Sequence, residues 1–125
     1  MIALDASALL SFMFREAGHE KVAAVIAHSC ISAVNVSEVL GRFTRDGHNA
    51  RRVLKEIQET PIEIVSFDAP QASIAAELMV KTNVFGLSLG DRACLALAIS
   101  RQIPAMTADR VWKQLDAGAD IRVIR

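Results

Sequence analysis

Five short apolar runs punctuate the chain: "MIAL" at 1–4, "CISA" at 30–33, "IEIVSF" at 62–67, "IPAMTA" at 103–108 and "DIRVIR" at 120–125. Each is too short for a stable helix, and the segments between them carry helical patterns. "ASALLSFMF" directly follows the first run, and "GHEKVAAVIAH" supplies a second helix through Val22, Val25 and Ile26. "VNVSEVLGRFTRDG" puts Val36, Val39, Leu40 and Phe43 on one face before Asp46 and Gly47 stop it. "NARRVLKEIQE" is amphipathic and ends ahead of Pro61, and "APQASIAAELMVKT" carries Pro70 near its first turn. "LGDRACLALAISRQ" is apolar nearly all round, the pattern of a central buried helix. "DRVWKQLDAG" is a short helix closed by Gly118. Strands alternating with helices predict an α/β layer fold with a largely parallel sheet. Such folds hold their ligands just beyond the carboxyl ends of the strands.

The 125 residues fit one domain, 1–125, with no repeat or linker. Apolar residues make up 52% of the chain, so some apolar surface is expected to face a partner. No uncharged apolar stretch approaches the roughly 18 residues of a membrane span. No basic region precedes the first apolar run, so a signal peptide is not expected. The two cysteines, Cys30 and Cys94, lie far apart in apolar contexts. They read as core residues of a reduced, cytoplasmic protein. Formal net charge is zero, so any attraction to phosphate must come from a local patch or a bound cation.

Four acids stand where an α/β sheet places its ligands. Asp5 follows the first strand and Asp109 follows the "IPAMTA" strand, while Asp91 and Glu38 lie near helix starts. Capping explains each one singly. Asp5 and Asp109 can each cap the helix that follows, Ser88 with Asp91 resembles a capping box, and Asn35 with Glu38 fits that box better. Glu38 and Arg42 have the spacing of an exposed helix pair. Taken together, the acids would share one rim of the sheet if their strands are neighbours. Crowded carboxylates raise one another's pKa unless a cation sits among them. Oxygen ligands without His or Cys suit Mg²⁺ or Mn²⁺, and such a cluster supports metal-assisted hydrolysis of a phosphodiester.

Ser7 and Thr107 each stand two residues from a candidate acid and can orient a carboxylate, or serve as plain cap and strand-end hydroxyls. Asn35 is read first as a cap and next as support for the acids. Arg92 is read as a solvated charge, with phosphate contact the alternative. Arg51, Arg52 and Lys55 make a wet helix face, and His19, His28 and His48 are isolated. Phe12, Met13 and Phe14 cannot all face inward, so part of this trio is expected to meet a partner.

Four segments, "MIALDASAL", "ISAVNVSEVL", "LSLGDRACLALA" and "MTADRVW", together resemble the PIN-domain ribonucleases, specifically the VapC toxins of bacterial toxin–antitoxin pairs. The match runs in order over nearly the whole chain. The resemblance implies a three-layer α/β/α PIN fold with a five-stranded parallel sheet. It also implies Mg²⁺- or Mn²⁺-dependent endoribonuclease activity on RNA. Asp5, Glu38, Asp91 and Asp109 match the family's acidic quartet. By likeness, Asp5 and Asp91 are the more direct ligands, and Glu38 and Asp109 act partly through water. Ser7 and Thr107 match the hydroxyl residues of the first and last motifs. The resemblance further implies a homodimer and a cognate VapB-like antitoxin whose tail lies in an apolar groove near the first helices.

Two other functional classes fit the sequence less well. A phosphoacceptor signalling domain needs an acidic pair after its first strand and a Lys after a late one, and neither is present. A non-catalytic RNA- or protein-binding module fits poorly with zero net charge and 5% aromatic residues, as far as RNA is concerned.

Overall fold

The computed structural model describes all 125 residues. Its centre is a five-stranded, all-parallel sheet in the order β3-β2-β1-β4-β5, with β1 Ile2–Leu4, β2 Ser29–Ser32, β3 Glu63–Val65, β4 Ala105–Thr107 and β5 Ile121–Val123. Seven helices cover it: α1 Ala6–Phe14, α2 His19–Ala23, α3 Ala33–Arg45, α4 Ala50–Gln58, α5 Ala69–Glu77, α6 Met79–Thr82 and α7 Leu89–Arg101. This is the expected three-layer α/β/α arrangement.

Side chains alternate across the central strands and so feed two cores. Ile2, Leu4, Ile31 and Met106 point to one face, where Leu9 of α1, Val39 of α3 and Ile57 of α4 meet them. Ala3, Cys30 and Ala105 point to the other, under Cys94, Leu95, Leu97 and Ala98 of α7 and beside Trp112. Short side chains on that face suit a helix laid close to the sheet, which is why α7 is apolar nearly all round. Cys30 and Cys94 are both buried free thiols.

Strand order positions the site. The chain leaves β1 to one side for β2 and β3, then returns to the other side for β4 and β5. The crevice between the ends of β1 and β4 is therefore the topological switch point. Asp5 lies at the end of β1 and Thr107 at the end of β4, on adjacent strands.

Several elements differ from expectation. Strand β2 begins and ends one residue earlier, because Ser32 closes the strand and caps α3 through Val34 N at 3.2 Å. The 18–28 segment makes only α2 and a 3₁₀ turn at Ile26–His28, and Ser29 Oγ donates to the Ile26 carbonyl at 2.8 Å where the turn gives way to strand. The 69–82 segment breaks into α5 and α6 at Leu78, whose carbonyl accepts from Lys81 N, Thr82 N and Thr82 Oγ1. Residues Arg110–Gln114 form a 3₁₀ turn rather than an α-helix, a geometry common in runs this short. No helix is long and apolar enough to cross a membrane.

Candidate active site

Asp5 is almost wholly buried and held from three sides. Ser7 Oγ donates to its Oδ1 at 2.7 Å, the Ala8 backbone N–H to the same oxygen at 2.8 Å, and Thr107 Oγ1 to its Oδ2 at 2.5 Å. The first two follow from its place as N-cap of α1, and the third from the pairing of β1 with β4. Burial is the largest influence on this carboxyl and pushes it from 3.8 up to about 6, against the lowering pull of the three donors, with the Asp91 charge adding to the rise.

The network continues along β4. Ala108 N donates to Ser7 Oγ at 2.9 Å and Asp109 N to Thr107 Oγ1 at 3.0 Å. Asp109 then caps the 3₁₀ turn through Val111 N at 3.0 Å. On α7, Ser88 and Asp91 form the expected capping box, with Asp91 N donating to Ser88 Oγ at 3.2 Å and Ser88 N to Asp91 Oδ2 at 2.9 Å. Glu38, on α3, accepts from Asn35 Nδ2 at 2.8 Å. Burial raises the Glu38 carboxyl, the Asn35 amide lowers it, and the Asp91 charge raises it further.

All four acids line one cavity of about 510 Å³, together with Ser7. Capping and cavity lining are compatible here. The hydrogen bonds leave one oxygen each of Glu38, Asp91 and Asp109 free of protein donors. The donor set is all oxygen, without His or Cys, which is the chemistry of Mg²⁺ or Mn²⁺ sites. No three acidic, His or Cys side chains converge into a cage for one ion.

Other candidates land differently. Asn35 is not a cap: Ser32 is, and Asn35 lies inside the first turn, where its Nδ2 also donates to the Gly90 carbonyl at 2.9 Å. Arg92 is neither free in solvent nor on the cavity. Its Nη1 donates to the Ala75 carbonyl at 3.0 Å and ties α7 to α5. Arg42 does not pair with Glu38, which is held by Asn35; its Nε meets Asp46 Oδ2 at 3.2 Å instead. Phe12 and Met13 pack against the core, while Phe14 is 40% exposed and stacks on Phe43 with centroids 5.2 Å apart. Arg42 lies 5.2 Å over the Phe14 ring.

Two residues on the cavity were missed from sequence: Arg42 and Arg45. They follow Glu38 on α3 at i+4 and i+7, so one helical stripe carries an acid and then two cations. The spacing is readable in the sequence, where Arg42 also stands at i+4 from Glu38.

A parallel sheet whose switch-point crevice is lined by carboxylates defines an α/β protein with an acidic cavity at its strand ends. The PIN domain family model matches residues 2–118, and the chain belongs to that family. Among solved structures, a toxin–antitoxin complex from Klebsiella pneumoniae is similar with a TM-score of 0.77 at 15% identity, covering 100% of this chain and 98% of that one. The VapBC complex of Rickettsia felis bound to promoter DNA gives 0.76 at 15% identity, covering all of both chains. A Mycobacterium tuberculosis VapC toxin described as cleaving the sarcin-ricin loop gives 0.68 at 19% identity, covering 86% of this chain and 88% of that one. At these identities the likeness establishes the fold. Comparison with curated proteins found no match.

Proposed function

We propose that this PIN-domain protein is a metal-dependent endoribonuclease, the VapC-type toxin of a type II toxin–antitoxin pair. The observation that carries this reading is the gathering of Asp5, Glu38, Asp91 and Asp109 on one cavity at the β1/β4 switch point. Asp5 and Asp91 would hold Mg²⁺ or Mn²⁺ most directly, with Glu38 and Asp109 acting partly through water. When bound, the ion supplies an activated water and stabilises the leaving oxygen of the phosphodiester.

The chain's own groups do the rest. Ser7 and Thr107 orient Asp5 and favour its charged form at neutral pH, against the cost of burial. Arg42 and Arg45 stand at the rim of the same cavity, where guanidinium groups bind the phosphates flanking the cut. They supply the local positive patch that a chain of zero net charge needs. A phosphoacceptor reading requires a Lys at the site, and the cavity is lined by none.

The resemblance to the VapC toxins extends the proposal to partners. The protein acts in the cytoplasm on RNA, forms a homodimer, and is silenced by a VapB-like antitoxin. Exposed Phe14, beside the cavity's Arg42, gives such a partner an apolar and cationic foothold. Expression of the chain alone is expected to arrest bacterial growth, and Asp91→Asn to abolish the arrest. Equal growth inhibition by wild type and Asp91→Asn would overturn the assignment.

A further inference from the structure

Gly90 has no conformational reason to be glycine. It is the second residue of α7, and none of the left-handed glycines of the chain is this one. Its reason is space. A β-carbon there would fall 2.0 Å from Glu38 Oε1, 2.4 Å from Glu38 Cδ and 2.7 Å from Oε2. The Glu38 carboxylate therefore rests directly on the backbone of the first turn of α7, next to Asp91.

Asn35 holds it there. Its amide is 1% exposed and donates to Glu38 Oε1 and to the Gly90 carbonyl, so one side chain fastens the acid on α3 to the turn of α7 on which it lies. Two acceptors fix the amide's orientation, since a flipped amide would turn its oxygen toward both. The arrangement leaves Asn35 Oδ1 buried without a hydrogen-bond partner. That orphan acceptor is a cost of placing Asn here, set against the two bonds its Nδ2 donates to Glu38 and Gly90.

We infer that Gly90 and Asn35 form a seat that positions Glu38 beside Asp91 for cation binding. Neither touches the ion or substrate; both are positioning residues that act through Glu38. This deepens the metal-dependent reading of the cavity and rests on it. Because the atoms crowding Gly90 belong to the end of a flexible side chain, an added methyl displaces the carboxylate rather than the helix.

The test is a set of double-mutant cycles on the full chain. Gly90→Ala and Asn35→Ala are each made in the wild type and in Glu38→Ala. Mn²⁺ binding is measured by calorimetry, and thermal unfolding is followed in EDTA. Each substitution is expected to weaken Mn²⁺ binding by about tenfold or more in the wild type, as loss of a ligand's supporting contact does, and to change it less than about twofold in Glu38→Ala. In EDTA, Gly90→Ala is expected to raise the melting temperature in Glu38→Ala, as alanine does inside a helix. With Glu38 present that gain is absent or reversed. Additive melting shifts, or equal losses of Mn²⁺ binding in both backgrounds, overturn the seat. A wild-type chain that binds no Mn²⁺ overturns the metal reading, while the melting cycle in EDTA still decides whether Gly90 accommodates Glu38.

Discussion

Replacing Asp5 by Asn is expected to stabilise the metal-free protein while destroying its cation binding. The reason is the energetic position of that carboxyl. Its displacement from 3.8 to about 6 corresponds to on the order of 3 kcal/mol of stability that the metal-free fold lacks at pH 7. The sign follows from proton binding. Between those two pKa values the folded state holds a proton that the unfolded chain has released, so stability falls as pH rises through the window. Below about 3.8 both states are protonated and the penalty vanishes. Asn removes the charge and keeps an acceptor for Ala8 N and Ser7 Oγ, but its amide nitrogen faces Thr107 Oγ1, which must then turn to accept. Exchanging that short bond to a carboxylate for a neutral one takes back about 1 kcal/mol, leaving a net gain of about 2 kcal/mol at pH 7. For a chain of this size that is a rise of about 8 °C in melting temperature. Thermal unfolding of both proteins in EDTA, from pH 4 to pH 7.5, measures it. The gap is expected to open with pH, and Mn²⁺ at about 100 times its dissociation constant should then raise the wild type by about 2.7 kcal/mol and leave Asp5→Asn unmoved. An Asp5→Asn protein that melts below wild type in EDTA at pH 7, or a gap that does not change with pH, refutes the reasoning.

Three further outcomes follow from individual contacts. Arg42→Ala and Arg45→Ala are expected to weaken RNA binding mainly at low salt, each reducing the slope of log affinity against log salt by about 0.7, as loss of one single-strand phosphate contact does; unchanged slopes would remove both from the RNA path. Thr107→Val deletes the 2.5 Å donor to Asp5, so the Asp5 carboxyl rises further. Mn²⁺-dependent activity should then fall most near pH 6 and recover toward pH 8, and a uniform loss across pH would count against it. Arg92→Ala breaks the bond to the Ala75 carbonyl and should lower stability by about 1–2 kcal/mol in denaturant unfolding, with KM for RNA unaltered; a raised KM would return Arg92 to the phosphate path.

The layer architecture was legible because short apolar runs and helical stripes obey different periods. Ile2, Leu4, Ile31 and Met106 face one core while Ala3, Cys30 and Ala105 face the other, as strand alternation demands. The Ser88–Asp91 box was legible for a similar reason, since capping is local and its residues are three apart. What was hidden depends on contacts between distant segments. Nothing local marks Ser32 rather than Asn35 as the cap of α3, because the choice is made where β2 ends against β1 and β3. Arg92 looked like a free charge because Ala75 belongs to another helix. Gly90 carried no signal at all, since its neighbour Glu38 meets it only across the α3–α7 contact. That four separated acids line one cavity was anticipated by placing two of them at strand ends; their chemical roles are the proposal that experiment must now decide.

The most direct test is incubation of purified protein with total cellular RNA in Mg²⁺ or Mn²⁺, with and without EDTA, beside Asp5→Asn and Asp91→Asn. Discrete RNA fragments from the wild type alone, and only when the cation is present, are expected. Equal cleavage by wild type and both variants, or cleavage that persists in EDTA, would contradict the account.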